Sequence, residues 1–204
     1  MFFYVCIVII GLIINFIINY FELKKTLKFK LSLSIALINS LFMVLGCKAL
    51  DMIINFKYYE DFYSLSFITN GYMFYGGILA VILSETLFCK IENLSTEDVI
   101  KTILINDILL YSIWKIGCFY NGCCAGIVKV PIQLVESIVT LLLYIYEKIQ
   151  KSSFFNIIIT FSIIRIIAFI FRKDIDAFNF YTNIIISIII ICSSIFIKIS
   201  KKRR

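Results

Sequence analysis

The chain has 204 residues, of which 61% are hydrophobic and 16% are charged, with a formal net charge of +7 and no histidine. A soluble domain carries about a quarter charged residues, so this composition excludes an ordinary soluble domain and indicates an integral membrane protein. The surplus of Lys and Arg fits attraction to anionic lipid headgroups. It gives no reason to expect a nucleic-acid partner.

Seven apolar segments are long enough to cross a bilayer, which needs about 20 apolar residues per helix. The first lacks the basic region and the small-residue cleavage site of a signal peptide, so we expect it to be retained as a helix. There are no long linkers and no clear repeats, and we therefore expect 1–204 to form one all-α polytopic membrane domain. The segments are predicted at 2–20, 31–49, 71–89, 99–117, 131–147, 154–171 and 178–197.

The distribution of Lys and Arg predicts the orientation of these helices. Most of these residues lie after the first, third and fifth segments and at the C-terminal end. Since cytoplasmic flanks carry the excess of positive charge, we expect the N-terminus outside and the C-terminus in the cytoplasm. The loop after the fourth segment is then expected at the outer face.

That loop, Trp114–Gly126, has the highest density of residues that could bind a ligand or take part in a reaction. It contains Lys115, Gly117, Asn121 and three cysteines at 118, 123 and 124. Irregular backbone at membrane depth is tolerated only where it is buried in protein or lines a wet cavity. The loop is therefore a candidate site.

The three cysteines of this loop leave several alternatives open. At the outer face a disulfide is allowed, and the spacing of Cys118, Cys123 and Cys124 could close one. Zinc would need four ligands, and only three local thiols are present in a chain without histidine. We therefore expect no metal, and a reactive thiolate beside Lys115 is the other hypothesis.

Two arginines in or beside the sixth segment are expected to serve a function, because charged residues are costly in a bilayer. Arg165 and Arg172 are seven residues apart and share one helix face. Paired guanidinium donors suit phosphate oxygens. The alternative is that Arg165 reaches the interface or pairs with Asp107 or Glu136.

Two further segments carry candidate residues. Gln133 and Glu136 are neighbours at i, i+3 in the first turns of the fifth helix, where they could face a cavity or complement the helix dipole. Gly76 and Gly77, next to Tyr75, allow close approach of another helix or of a lipid headgroup.

In combination these motifs resemble the prolipoprotein diacylglyceryl transferase family of bacterial inner-membrane enzymes. The family's central G-R-I-G-N-F-I-N-G-E-x-x-G pattern falls on Trp114–Gly126 without a gap. Its G-x-S-F-H-G-G pattern is similar to 71–77, its H-P-S-Q-L-Y-E pattern to 130–136, and its R-x-x-x-E-F-F-R pattern to 165–172. Tyr4 and Gly11 fit the family's first-helix pattern.

The resemblance implies transfer of a diacylglyceryl group from phosphatidylglycerol to a cysteine thiol in a prolipoprotein signal peptide, at the bacterial plasma membrane and without a cofactor. It implies cations for the phosphate and a base for the thiol. The catalytic candidates are Tyr75, Glu136 and Arg165. The substrate-binding candidates are Tyr4, Gly76, Gly77, Lys115, Gly117, Asn121, Gly126, Gln133 and Arg172.

Several motif positions differ from the family pattern. Tyr75 replaces a histidine and Lys115 an arginine. At three further positions the family pattern has polar residues, and this chain has Cys118, Cys123 and Phe169 instead. Two other hypotheses therefore stand beside the transferase. One is a non-catalytic membrane protein that binds lipid or peptide, and the other is a thiol-disulfide or metal-handling protein that uses the three loop cysteines.

Overall fold

The computed structural model describes residues 2–56, 72–127, 130–150, 152–173 and 177–203. These residues form seven α-helices: α1 Phe2–Leu23, α2 Phe29–Ile54, α3 Phe74–Ile91, α4 Thr96–Tyr120, α5 Ile132–Gln150, α6 Phe154–Ile170 and α7 Ala177–Arg203. Each predicted segment corresponds to one helix, and the all-α membrane fold is confirmed. Gly71, the first residue of the 71–77 motif, lies outside the described residues.

Five of these helices are long and apolar enough to cross a membrane: Phe3–Leu23, Phe29–Ile54, Phe74–Ile91, Thr96–Tyr120 and Phe178–Ser200. The other two helices, α5 and α6, are not among these five, for separate reasons. Helix α6 is apolar but has only 17 residues, whereas α5 carries Glu136, Glu147 and Lys148 among its 19 residues. The candidate Glu136 thus lies on one of the two helices outside this set of five.

The helices expose apolar side chains and bury polar ones, which is the pattern expected when lipid is the solvent. Ile10 on α1 is 52% exposed and Leu83 on α3 is 66% exposed, whereas Asn19 and Asn39 are fully buried. An α-helix satisfies the backbone hydrogen bonds of its interior residues internally, as a bilayer requires. The molecule is accordingly a multi-pass membrane protein.

The chain divides into two compact units, 1–110 and 111–204, and the boundary falls within α4. The expectation of a single domain stays a prediction. The first unit contains α1, α2, α3 and the first part of α4. The second contains the last part of α4 with α5, α6 and α7.

In the first unit, α2 and α3 pack closely because three glycines meet. A methyl group at Gly76 would collide with the carbonyl oxygen of Gly46, and one at Gly77 would lie 2.6 Å from Cys47 Sγ. The glycines thus permit a close helix contact, which is one of the two alternatives for this motif. The substrate-binding role of Gly76 and Gly77 stays a prediction.

The first unit also contains a buried network of amides and carboxylates. Asp107 Oδ1 accepts hydrogen bonds from Asn15 Nδ2 and Asn39 Nδ2, each at 3.1 Å. Asn15 Oδ1 in turn accepts from Asn19 Nδ2 at 2.9 Å and from Asn39 Nδ2 at 3.0 Å. Glu85 is fully buried, and neither of its carboxylate oxygens has a hydrogen-bond partner among the described residues.

Candidate functional site

The second unit gathers three cations around one buried carboxylate. Glu136 Oε2 lies 2.8 Å from Lys115 Nζ and 2.9 Å from Arg172 Nη2, and Glu136 Oε1 lies 3.0 Å from Arg165 Nη1. The three cationic side chains are each 6% exposed and the Glu136 side chain is fully buried. We call these four residues, with Tyr111, the Glu136 cluster.

Tyr111 is the member of the cluster that the sequence analysis missed. Its hydroxyl donates a hydrogen bond to Glu136 Oε1 and accepts one from Arg165 Nη1. Tyr111 lies four residues before Lys115 on α4 and therefore on the same helix face. That spacing was the available signal, since it places a hydroxyl next to the only lysine in this part of the helix.

The two arginines of the cluster stack on an aromatic ring. Arg165 Cζ lies 4.6 Å and Arg172 Cζ 4.3 Å from the ring centroid of Phe169, which is 3% exposed. Both distances are within the range of cation–π attraction. Phe169 occupies the position of a glutamate in the family pattern, and it fixes the guanidiniums without neutralising them.

Backbone pairing between the loop after α4 and the end of α6 positions Arg172. Ile127 N donates to Phe171 O at 2.9 Å, and Lys173 N donates to Ala125 O at 2.8 Å. Gly126 and Arg172 form an isolated antiparallel bridge. A methyl group at Gly126 would lie 2.9 Å from the Val130 carbonyl oxygen, so the close approach of the backbone at Val130 favours a glycine there.

The loop cysteines come together at the end of α4. Cys123 N donates to Cys118 O at 3.2 Å, and the backbone then turns through Cys124, whose φ is +62°. The three Sγ atoms all lie within 4.8 Å of one another. All three cysteines are free thiols in the structure, without the disulfide that their spacing allows.

Cys124 is the thiol of this group that is most readily ionised. Hydrogen bonds from the thiols of Cys118 and Cys123 lower its pKa well below the ordinary value for cysteine, and the charges of Lys115 and Arg172 lower it further. Both causes stabilise the thiolate over the thiol. The charges of two members of the Glu136 cluster thus favour the thiolate form of this side chain.

The other predicted residues of the second unit take different positions. Gln133 is buried and its Nε2 donates to Cys123 O at 2.6 Å, so this side chain holds the loop. Gly117 is buried in the last turn of α4, and Asn121, directly after the helix, is exposed. The substrate-binding roles expected for Gly117, Asn121 and Gln133 stay predictions.

Tyr4 and Tyr75 belong to the first unit. Tyr4 is half-buried on α1, and Tyr75 is 1% exposed in the first turn of α3. Of the predicted site residues, Lys115, Arg165 and Arg172 are the ones that directly contact Glu136. The catalytic role of Tyr75 and the substrate-binding role of Tyr4 stay predictions.

The Glu136 cluster carries an excess of positive charge. Three cations surround one carboxylate, which leaves two positive charges uncompensated within the cluster. Guanidinium and ammonium groups bind phosphate oxygens through charge-assisted hydrogen bonds. The pairing of Arg165 with Glu136 therefore coexists with a capacity to bind an anion.

Comparison with known proteins finds a similar sequence and a matching family. The chain is similar, with 32% identity over 94 residues, to the phosphatidylglycerol–prolipoprotein diacylglyceryl transferase of Clostridium tetani (strain Massachusetts / E88). This match covers 45% of the chain and only 38% of the length of that relative. The sequence model of the prolipoprotein diacylglyceryl transferase family matches residues 1–200 of the chain. With nearly its whole length covered, the chain belongs to the prolipoprotein diacylglyceryl transferase family.

Proposed function

We propose that this protein transfers the diacylglyceryl group of phosphatidylglycerol to the cysteine thiol of a prolipoprotein signal peptide. Its membership of the family supports this activity, and so does the name of the relative from Clostridium tetani. The multi-pass helices and the lipid substrate favour the bacterial inner membrane as its location. No cofactor takes part in the proposed reaction.

The observation that carries the proposal is the buried excess of positive charge in the Glu136 cluster. Lys115, Arg165 and Arg172 all lie within 3.0 Å of the Glu136 carboxylate. A preorganised set of cations stabilises an anionic leaving group most strongly where water is excluded. We assign the phosphate of phosphatidylglycerol to the three cations.

The proposed reaction is a displacement at the glycerol carbon of the diacylglyceryl group. The substrate thiol loses its proton, its sulfur bonds to that carbon, and the bond from the carbon to the phosphate oxygen breaks. Glycerol phosphate leaves with the electron pair of that bond. The cations hold the phosphate throughout the reaction. They therefore stabilise the negative charge that develops on the phosphate as the bond breaks.

Glu136 has a positioning role in this proposal. The resemblance made Glu136 a catalytic candidate, but both of its oxygens are bonded to cationic groups. A carboxylate with such partners is a poor proton acceptor, and it fixes three long side chains in one geometry. Tyr75 is proposed for proton transfer and Asn121 for the headgroup, as the resemblance implies.

A transfer assay tests the proposal. The purified protein would be incubated in mixed micelles with labelled phosphatidylglycerol and a peptide that carries the signal-peptide cysteine, and the mass of the peptide would be measured. We expect the peptide to gain one diacylglyceryl group with the wild type. With Arg165→Ala the rate of this transfer should fall at least about a hundredfold, which is the usual cost of losing one donor that stabilises the developing charge.

The matched control is Lys198→Ala, which removes a cation from α7, where Lys198 is exposed and bonded to Asn156. It should transfer at the wild-type rate. If the wild type binds phosphatidylglycerol without any transfer, the activity is absent and the non-catalytic lipid-binding hypothesis replaces it. Equal rates for Arg165→Ala and the wild type would contradict the role given to the cluster.

A further inference from the structure

The three loop cysteines form a group of ligands that the transfer reaction does not use. Cys118 is on the last turn of α4, and the turn at Gly122, where φ is +70°, returns the chain towards it. The sulfur of Cys123 also approaches the Cys118 carbonyl oxygen, at 3.5 Å. All three side chains are half-buried, so the sulfur atoms are held in place and are still accessible.

The number of ligands decides which ion fits. The Sγ atoms of Cys118, Cys123 and Cys124 lie within 4.8 Å of one another, and no further carboxylate or thiol of the described residues joins the group. Structural zinc takes four ligands, and the chain has no histidine to complete the set. Soft thiolates select Cu(I) among the remaining common ions.

The charges around the group also favour a monovalent ion. Three thiolates with one Cu(I) carry two negative charges in total. Lys115 lies one helical turn before Cys118 on α4, and Arg172 is bridged to Gly126, two residues after Cys124, so these two cations are placed to offset that charge. A half-buried anionic complex without nearby cations would be costly to desolvate.

We propose that Cys118, Cys123 and Cys124 form a three-coordinate site for Cu(I). Binding forms three S–Cu bonds to thiolate sulfur, and each sulfur that still carries a proton releases it to solvent. No atom is oxidised or reduced, so the step needs no further reactant. The site draws on the charges of Lys115 and Arg172, which the proposed transfer also uses, but it does not depend on the transfer reaction.

The first test is a titration of the full-length protein in detergent under anaerobic conditions with Cu(I) buffered by a coloured Cu(I) chelator. We expect the wild type to take one Cu(I) per chain from the chelator. Cys118→Ser should lose at least about tenfold in affinity, on the scale that loss of a metal-site interaction usually costs. Cys192→Ser, in which an exposed cysteine of α7 is changed, is the matched control and should bind like the wild type.

The second test uses the wild type alone and does not depend on how the variants fold. Alkylation of the thiols would be mapped by mass spectrometry with and without one equivalent of Cu(I). Protection of all three loop cysteines, with no change at Cys192, supports the site. Unchanged alkylation of the loop cysteines would overturn it, and so would equal Cu(I) affinity in Cys118→Ser, or a preference for Zn(II) over Cu(I).

Discussion

Lys115 Nζ lies 2.8 Å from Glu136 Oε2, and both side chains are buried. Lys115 stands where the family pattern has an arginine, and its ammonium forms this ion pair as a point charge rather than as a planar fork. Arg172 contacts the same carboxylate oxygen at 2.9 Å. One oxygen thus holds two cations together, and this relationship underlies the proposed phosphate site.

Replacing Lys115 by methionine should slow the transfer strongly. Methionine keeps most of the length of the side chain but removes one of the three cations, so we expect a rate loss of roughly a hundredfold or more. Lys115→Arg, which restores the family residue, should keep the activity at the wild-type level or above. The initial rate of peptide modification measures both effects, and a fully active Lys115→Met would contradict the assignment of phosphate to this cation.

Replacing Glu136 by glutamine should destabilise the second unit. The change removes the only carboxylate in contact with Lys115, Arg165 and Arg172 among the described residues. Breaking a buried ion pair by removing one partner costs about 3–5 kcal/mol. Thermal unfolding in detergent should therefore shift to lower temperature.

The control for this change is Glu92→Gln, at an exposed carboxylate directly after α3. It should unfold like the wild type. The double variant Glu136→Gln/Lys115→Met should be less destabilised than the sum of the two single variants, because the second change removes one of the unpaired cations. Additive losses in this cycle would show that the two side chains are not coupled.

Replacing Phe169 by leucine should weaken the positions of both arginines without changing any charge. The ring centroid is 4.6 Å from Arg165 Cζ and 4.3 Å from Arg172 Cζ, and each contact is worth about 0.5–2 kcal/mol. We expect weaker binding of phosphatidylglycerol and a slower transfer, by about tenfold. Phe171→Leu, at a ring that is 49% exposed, should have little effect, and an equal loss in the two variants would count against the stacking.

The buried network of the first unit should respond differently to changes at its two carboxylates. Asp107→Leu removes the acceptor of Asn15 and Asn39 and leaves two buried amides short of a partner, at about 1–3 kcal/mol each. Glu85→Gln should be neutral or stabilising, because Glu85 has no hydrogen-bond partner among the described residues and an unpaired buried carboxylate is costly. Thermal unfolding distinguishes the two variants, and a larger loss in Glu85→Gln would contradict this interpretation.

The helices and the charged residues of the site were accessible from the sequence. Apolar runs of about 20 residues predict each helix, because a bilayer fixes the length of a span. Arg165 and Glu136 stand out because ionisable groups inside apolar helices are rare and costly. The resemblance to the family added the substrate-binding role of Lys115, which the loop composition alone marked only as a cation beside the cysteines.

Contacts between distant positions were not accessible in this way. Tyr111 resembles any aromatic residue of an apolar helix until α5 and α6 bring Glu136 and Arg165 to its hydroxyl. The convergence of the three sulfur atoms depends on a positive φ at Cys124, which is uncommon for a residue other than glycine. Neither packing across 50 residues nor a single unusual backbone angle leaves a periodic pattern in the sequence.

The most direct measurement is the position of the phosphate in an experimental structure of the protein bound to a non-hydrolysable analogue of phosphatidylglycerol. We expect the phosphate oxygens to lie within hydrogen-bond distance of Lys115, Arg165 and Arg172, with Glu136 still in contact with these cations. An analogue whose phosphate is bound away from all three cations would contradict the proposed site. A phosphate that contacts them in the wild type and is displaced in Arg165→Ala would establish it.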